Sequence, residues 1–253
     1  MTGGVWGLEW RIALSRPGRL AWSVSVPVLL LVPVALSGAA APHRATVYAL
    51  FVVFFGLFGA AAPVIRDAER GWVERVLLTG CGARRWLAER TAAHSLQDLL
   101  QLAPALAAVI WIEGGARVAL PAASVTAGAL LALVAANLVG TLVAAAVRSL
   151  AEGALVCAGA GLVALHLAGA FRPPASGSWQ ETAAAVSPFL PALSSFRDLA
   201  GATDLWGSAA SVAGWGSAGL WTGPAAATLL LIACAWIGGP WVGRRLTGTD
   251  NHF

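Results

Sequence analysis

Long apolar stretches alternate with short charged segments along the chain. A helix needs about 20 mostly apolar residues to cross the hydrocarbon core of a bilayer. Six stretches meet this requirement, at residues 21–41, 46–65, 95–112, 122–147, 153–171 and 224–243. The pattern predicts an all-α membrane protein with six transmembrane helices, and we expect residues 1–253 to form a single transmembrane domain.

Two further segments have their own patterns. Residues 4–19 place Trp6, Trp10 and Leu14 at intervals of four among charged residues, which predicts an interfacial helix lying on the membrane surface. Residues 172–222 form a long extracytoplasmic loop rich in Gly, Ser and Trp. Tryptophan suits the membrane interface, so we expect short re-entrant helices in this loop.

Residues 66–90 interrupt the apolar pattern with six arginines and four acids. An arginine at the bilayer centre costs roughly 2.5–3.5 kcal/mol, so this segment cannot cross the membrane. Four apolar residues share one helical face: Trp72, Val73, Val76 and Leu77. Gly80 and Gly82 follow, which predicts a short cytoplasmic helix, a glycine turn and a second helix leading into the third span. Arg70 and Glu74 are four residues apart and are expected to pair.

The composition agrees with a membrane protein. The chain is 58% hydrophobic and 11% charged, whereas an average soluble domain carries about 25% charged residues. All 16 basic residues are arginines. Without lysine the chain cannot form a Walker A phosphate-binding loop. The net charge of +4 is not concentrated on one soluble face, so we expect no nucleic-acid partner.

The arginines also predict the topology. With a cytoplasmic N-terminus, only Arg44, Arg117, Arg172 and Arg197 of the 16 arginines lie outside. The remaining arginines lie on the cytoplasmic side, as the positive-inside rule requires. We therefore predict a multi-pass protein of the cytoplasmic membrane with both termini in the cytoplasm.

Four polar residues inside the apolar stretches are candidates for a transport pathway. Asp98 and Gln101, about one turn apart, either face a cavity or form the polar entry of the third span. Asn137 is expected to bridge helices. His166 lies deep in the fifth stretch and either takes part in transport or bonds a neighbouring helix.

Nothing in the sequence points to catalysis or a resident metal. Cys81, Cys157 and Cys234 are far apart and form no CxxC motif. Arg84 and Arg85 are expected to lower the pKa of the Cys81 thiol. There is no nucleophile elbow and no HExxH motif. We expect no catalytic residue and no metal site.

The segment that starts at Glu69 resembles the cytoplasmic segment of type-2 ABC exporter permeases, whose pattern runs roughly E-R-G-T-L-E-x-L-L-x-T-P-x-S-R. The matching positions are Glu69, Arg70, Gly71, Glu74, Leu77 and Thr79. Val73 and Val76 replace leucines, Trp72 replaces a threonine, Gly80 replaces a proline, and Arg84 matches only approximately. The interfacial helix, the six spans, the cytoplasmic termini and the long loop before the last span also match the layout of that family.

The resemblance implies the permease subunit of an ATP-driven exporter in a bacterial cytoplasmic membrane. In such permeases this segment is a coupling helix that docks into a groove of a separate cytoplasmic ATPase subunit, which holds the ATP and Mg, so this chain needs no cofactor. The implied docking residues are Glu69, Arg70, Gly71, Trp72, Glu74, Arg75, Leu78, Thr79 and Gly80. A second permease copy or a paralogue completes the pathway, whose apolar character suits a lipid-like or amphipathic substrate.

Two alternatives remain open. One is the haem-exporter membrane subunit of cytochrome c maturation, but its Gly-Thr-Pro stretch is not found here, and the nearest sequence reads ANLVGTLVAAA. The other is a membrane immunity or scaffold protein that works without an ATPase.

Overall fold

The computed structural model describes residues 5–114, 119–172, 174–175, 177–202 and 219–247. Across these residues the chain is helical throughout and contains no strand. The helices are α1 (Val5–Leu14), α2 (Pro17–Leu36), α3 (Ala41–Glu69), α4 (Trp72–Leu78), α5 (Ala83–Gly114), α6 (Ala119–Ala146), α7 (Leu150–Leu167), α8 (Trp179–Val186), α9 (Leu190–Leu199) and α10 (Gly219–Thr247).

Five of the described helices are long and apolar enough to cross a membrane: α3, α5, α6, α7 and α10. They correspond to the second to sixth predicted spans. The first predicted span, 21–41, is the helix α2, which ends at Leu36 and whose apolar part, Leu20–Leu36, is shorter than the others. The chain is thus a multi-pass membrane protein with five helices of spanning length in its described part.

Two helices, α3 and α5, extend well beyond the apolar stretches 46–65 and 95–112 from which they were predicted. The 29 residues of α3 span about 44 Å, more than the roughly 30 Å of a hydrocarbon core. This helix begins with Pro42 in its first turn, where a missing N–H costs nothing. It ends before Gly71, which adopts a left-handed conformation with φ 63°. The last turn of α3 and the first turns of α5 therefore extend together past the apolar region.

The core is centred on α6, which packs against α3, α5, α9 and α10. Small residues let the backbones approach closely, as is common in membrane bundles. A Cβ added to Gly140 would lie 2.5 Å from the Leu57 carbonyl oxygen, and one added to Gly56 would lie 2.8 Å from Ala136 Cβ.

The long loop before the last span contains two short helices, α8 and α9, as expected, and their re-entrant character stays a prediction. Residues 203–218 of this loop lie outside the described residues. Leu193 and Phe196 of α9 are fully buried, and Ser195 Oγ donates to the Ser124 carbonyl oxygen at 3.1 Å. Because α9 fills a gap between α3 and α6, it belongs to the core.

The predicted interfacial segment is α1, which packs on α5. The Trp6 N–H donates to Glu89 Oε2 at 3.3 Å. The segment was predicted to run from residue 4 to residue 19, but α1 already ends at Leu14. Pro17 instead begins α2, since proline is favoured at the first position of a helix.

Candidate functional site

The charged segment forms the short helix α4 followed by a glycine turn, as predicted, but a further turn at Gly71, which was not predicted, separates α4 from α3. Gly71 turns the chain from α3 into α4, and Gly80, with φ 88°, turns it towards α5. Arg75 reaches back across the first turn, with Nη2 donating to the Arg70 carbonyl oxygen at 2.9 Å and Nε donating to that of Gly71 at 3.3 Å. The first of these bonds satisfies the Arg70 carbonyl at the end of α3. The second adds to the helical bond that the Gly71 carbonyl already accepts from the Arg75 N–H.

The predicted ion pair between Arg70 and Glu74 does not form in the described part of the chain. Residues four apart face each other only on a continuous helix. Gly71 breaks the helix between these two residues, so their side chains lose the expected spacing.

The apolar face of α4 packs against the rest of the chain. Val73 is fully buried in a cluster with Val64, Trp86 and Val242. Trp72, Val76 and Leu77 are half-buried. The sequence suggested that this stripe would fit a groove in a partner, but in the folded chain most of it is already covered.

The opposite face of α4 is open. Glu74, Arg75 and Thr79 are exposed, and Leu78 is 78% exposed. The remaining implied docking residues lie at the edges of this face: Glu69, Arg70 and Gly80 are exposed, and Gly71 is half-buried. The face α4 presents outwards is therefore a leucine surrounded by charged and polar groups.

Cys81 lies in the turn between α4 and α5. Partial burial raises the pKa of its thiol, the negative charge of Glu89 raises it further, and Arg85 acts in the opposite direction. Arg85 acts to lower the pKa of Cys81, as expected, but burial and Glu89 together raise it by more, so the expected net lowering is wrong. Arg85 forms an ion pair with Glu89 at 2.5 Å, and burial outweighs its charge.

A cleft of about 820 Å³ lies beside this segment, lined by residues of α1, α2, α3, α4 and α5. Its apolar wall consists of four phenylalanines of α3: Phe51, Phe54, Phe55 and Phe58. They stack in pairs four residues apart, with ring centres separated by 5.7 Å and 5.9 Å. The volume lies within the range of ligand-binding pockets, about 300–1,000 Å³.

A buried ion-pair network closes the charged end of the cleft. Arg90 of α5 is 2% exposed. Its Nη2 donates to Asp67 Oδ2 at 2.7 Å, and its Nη1 lies 3.2 Å from Glu9 Oε1. His94 Nε2 lies 3.6 Å from the other oxygen of Glu9. The network joins α1, α3 and α5.

Asp98 lies near the middle of α5, on the wall of the same cleft, and is 5% exposed. Asn137 Nδ2 donates to Asp98 Oδ2 at 3.0 Å, which confirms that Asn137 bridges helices. A Cβ at Gly59 would lie 3.2 Å from Asp98 Oδ2, so the glycine leaves room for the close approach of α3 to the carboxylate. Gln101 also lines the cleft and is half-buried.

The fourth predicted pathway residue is elsewhere. His166 is exposed in the last turn of α7. Its predicted position deep in the fifth span is wrong, because α7 begins at Leu150 and ends at Leu167. The structure brings Asp98, Gln101 and Asn137 together and leaves His166 apart. Among the described residues, no three His, Cys, Asp or Glu side chains are grouped to hold a metal ion.

Several residues of the cleft were missed from the sequence. The spacing of the four phenylalanines was a visible signal of a shared helical face. Glu9, Asp67 and Arg90 gave no such signal, because their contact depends on how α1, α3 and α5 pack. A second network, far from the cleft along α3 and α5, was missed for the same reason: Arg44 Nε and Tyr48 Oη donate to Glu113 Oε1 at 2.7 and 2.8 Å.

The family model of the ABC-2 type transporter matches residues 6–200, which is more than half of the chain. The match contains α2 to α9 completely, including the charged segment and the walls of the cleft. No curated protein matches the chain.

Proposed function

Because the chain belongs to the ABC-2 type transporter family, we propose that it is the permease subunit of an ATP-driven exporter that couples to a separate ATPase through residues 66–90. Members of this family normally work with ABC ATPase partners. ATP and Mg belong to that partner, and this chain supplies the membrane pathway together with a second permease copy or a paralogue. The family match favours this function over that of a membrane protein without an ATPase.

The exposed face of α4 carries the proposal. Leu78 is 78% exposed, although apolar residues next to it pack inside the chain. Glu74 and Arg75 flank it with opposite charges. An exposed apolar residue within a charged rim is typical of protein contact surfaces. This face lies at the end of the molecule that we assign to the cytoplasm.

The position of α4 also supports a coupling role. Arg70, Trp72 and Arg75 of the docking segment line the same cleft as Asp98. Val73 anchors α4 to α5 and α10 through its buried side chain. A displacement of α4 by the ATPase therefore acts on the mouth of the cleft and on two helices of spanning length. We place the transport pathway along this route.

Co-purification in mild detergent with the ATPase encoded nearest to this chain tests the proposal. The variant Glu74→Lys/Leu78→Ser changes only exposed side chains, so we expect it to fold and to lose ATPase capture at least tenfold. The matched control is Leu229→Ser, which alters a 66% exposed leucine of α10, away from the docking face. The control is expected to capture the ATPase as the wild type does.

Equal capture by the wild type and the double variant would place docking elsewhere on the chain. Absence of capture by the wild type would contradict the permease–ATPase pairing and favour a protein that works alone. The melting temperatures of all three proteins are compared first, so that a loss of capture reports on the surface of α4.

A further inference from the structure

We propose that the cleft beside α3 binds a hydrophobic organic cation, with Asp98 as its counter-charge and the phenylalanine wall as its apolar contact. The inference rests on the proposed transport function and names the chemical class of the substrate. Its core is a buried acid in an open cleft that forms no ion pair with any described residue.

Asp98 lacks an ionic partner in the described part of the chain. Its carboxylate accepts one hydrogen bond from the neutral amide of Asn137 and forms no ion pair with any described residue. A carboxylate that is 95% buried loses most of its hydration, and this cost is offset when a cation pairs with it. An ionisable residue at this depth of a membrane protein usually serves function.

The nearby basic side chains of α5 already contact other acids. Arg90 binds Asp67 and Glu9, and His94, one turn from Asp98, faces Glu9 at 3.6 Å. The protein therefore places these basic groups against the acids at the charged end of the cleft and leaves the deeper carboxylate for a ligand.

The surroundings of Asp98 suit an organic cation better than a metal ion. Phe54, Phe55 and Phe58 line the same cleft. Aromatic faces attract cations and also provide apolar contact area. Gln97 also lines the cleft, and its Nε2 is buried without a hydrogen-bond partner, so it offers a donor to a polar group on the ligand.

The mouth of the cleft carries arginines, which raises the rival possibility of an anionic amphiphile. Arg16, Arg66 and Arg70 line the mouth and are exposed. Water and salt screen exposed charges strongly, whereas the buried carboxylate is screened much less. The deeper site is therefore expected to dominate the selectivity for charge.

Two probes of the same shape and opposite charge separate these possibilities: tetraphenylphosphonium and tetraphenylborate. Binding is measured by titration calorimetry on the purified chain in neutral detergent without any ATPase, with empty micelles as background. We expect the wild type to bind the cation about tenfold more tightly than the anion. Asp98→Asn keeps an oxygen for the Asn137 bond and is expected to weaken cation binding about tenfold, with anion binding unchanged.

Phe58→Leu provides a second variant, for which we expect cation binding to weaken a few-fold. Glu74→Gln removes an exposed acid from the docking face and is expected to leave binding unchanged. Equal affinity for both ions, or full cation binding by a folded Asp98→Asn protein, would overturn the proposal. Tighter binding of the anion would overturn it and would favour an anionic ligand held by the arginines at the mouth of the cleft.

If Asp98→Asn fails to fold, the ion preference of the wild type and the Phe58→Leu result decide. ATPase capture is measured separately, so a failure here is distinct from a failure of the docking proposal.

Discussion

Arg90 of α5 donates a hydrogen bond of 2.7 Å to Asp67 in the last turn of α3. The same guanidinium lies near Glu9 of α1 and 5.4 Å from the centre of the Trp86 ring. Asp67 is only four residues before Gly71, where the chain turns into α4. One buried cation thus joins α1 to the long helices α3 and α5 near the start of α4.

Replacing Arg90 with leucine is expected to destabilise the chain strongly. Arg90→Leu leaves Glu9 and Asp67 without their shared cation, and breaking a buried ion pair in this way costs about 3–5 kcal/mol. Thermal unfolding of the purified chain in detergent measures the effect, and we expect the melting temperature to fall clearly.

Arg85→Gln is the matched control for Arg90→Leu, because Arg85 forms an ion pair with Glu89 at the exposed surface of the same helix. Exposed pairs contribute little, so this melting temperature is expected to stay close to that of the wild type. A similar loss of stability in both variants would show that the buried network does not hold α1, α3 and α5 together.

The sequence predicted the long helices well and their contacts poorly. Apolar length alone located α3, α5, α6, α7 and α10, because a bilayer demands that length. The pattern around Val73 correctly predicted an amphipathic helix, but it did not reveal that α5 and α10 cover the apolar face.

The charged end of the cleft illustrates why contacts are harder to predict. Glu9, Asp67 and Arg90 are distant in sequence, and no local periodicity relates them. Only the packing of three helices brings both carboxylates within 3.2 Å of the Arg90 guanidinium. The phenylalanine wall is the exception, since its spacing along one helix is local.

A pair of glycine substitutions tests the close approach of α3 and α6. Gly140→Ala places a methyl group 2.5 Å from the Leu57 carbonyl oxygen, so the backbones must move apart. Overpacking of this kind typically costs about 1–3 kcal/mol, and we expect the melting temperature to fall.

Gly159→Ala is the control for this pair, because no atom lies within 4 Å of the added methyl group in α7. Alanine is the better helix former by roughly 0.5–1 kcal/mol, so stability is expected to stay the same or rise. If Gly140→Ala were as stable as Gly159→Ala, the contact between α3 and α6 would be looser than described.

Labelling of a single cysteine tests the orientation of the docking segment. Thr79→Cys in a Cys81→Ser/Cys157→Ala/Cys234→Ser background places a thiol on an exposed residue with ordinary backbone geometry, unlike Gly80, whose φ is 88°. We expect a membrane-impermeant maleimide to react only in inverted vesicles. Reaction in intact cells would place residues 66–90 outside and reverse the predicted topology.

Alkylation of Cys81 as a function of pH tests the electrostatics of the turn before α5. Burial and then the negative charge of Glu89 raise the pKa of this thiol, so it remains protonated to a higher pH than an ordinary cysteine. In a Cys234→Ala background, the iodoacetamide reaction is expected to accelerate with pH and to reach its midpoint above the usual value. Glu89→Gln removes the negative charge, so the thiolate forms more readily and the midpoint is expected to move to lower pH.

Glu69→Gln is the matched control for this titration, because it removes an acid that does not influence the pKa of Cys81. Its midpoint is expected to coincide with that of the wild type. A midpoint below the ordinary cysteine value in the wild type would mean that Arg85 outweighs burial at this turn. The thiol beside the docking helix would then be reactive at neutral pH, because an adjacent guanidinium stabilises the thiolate.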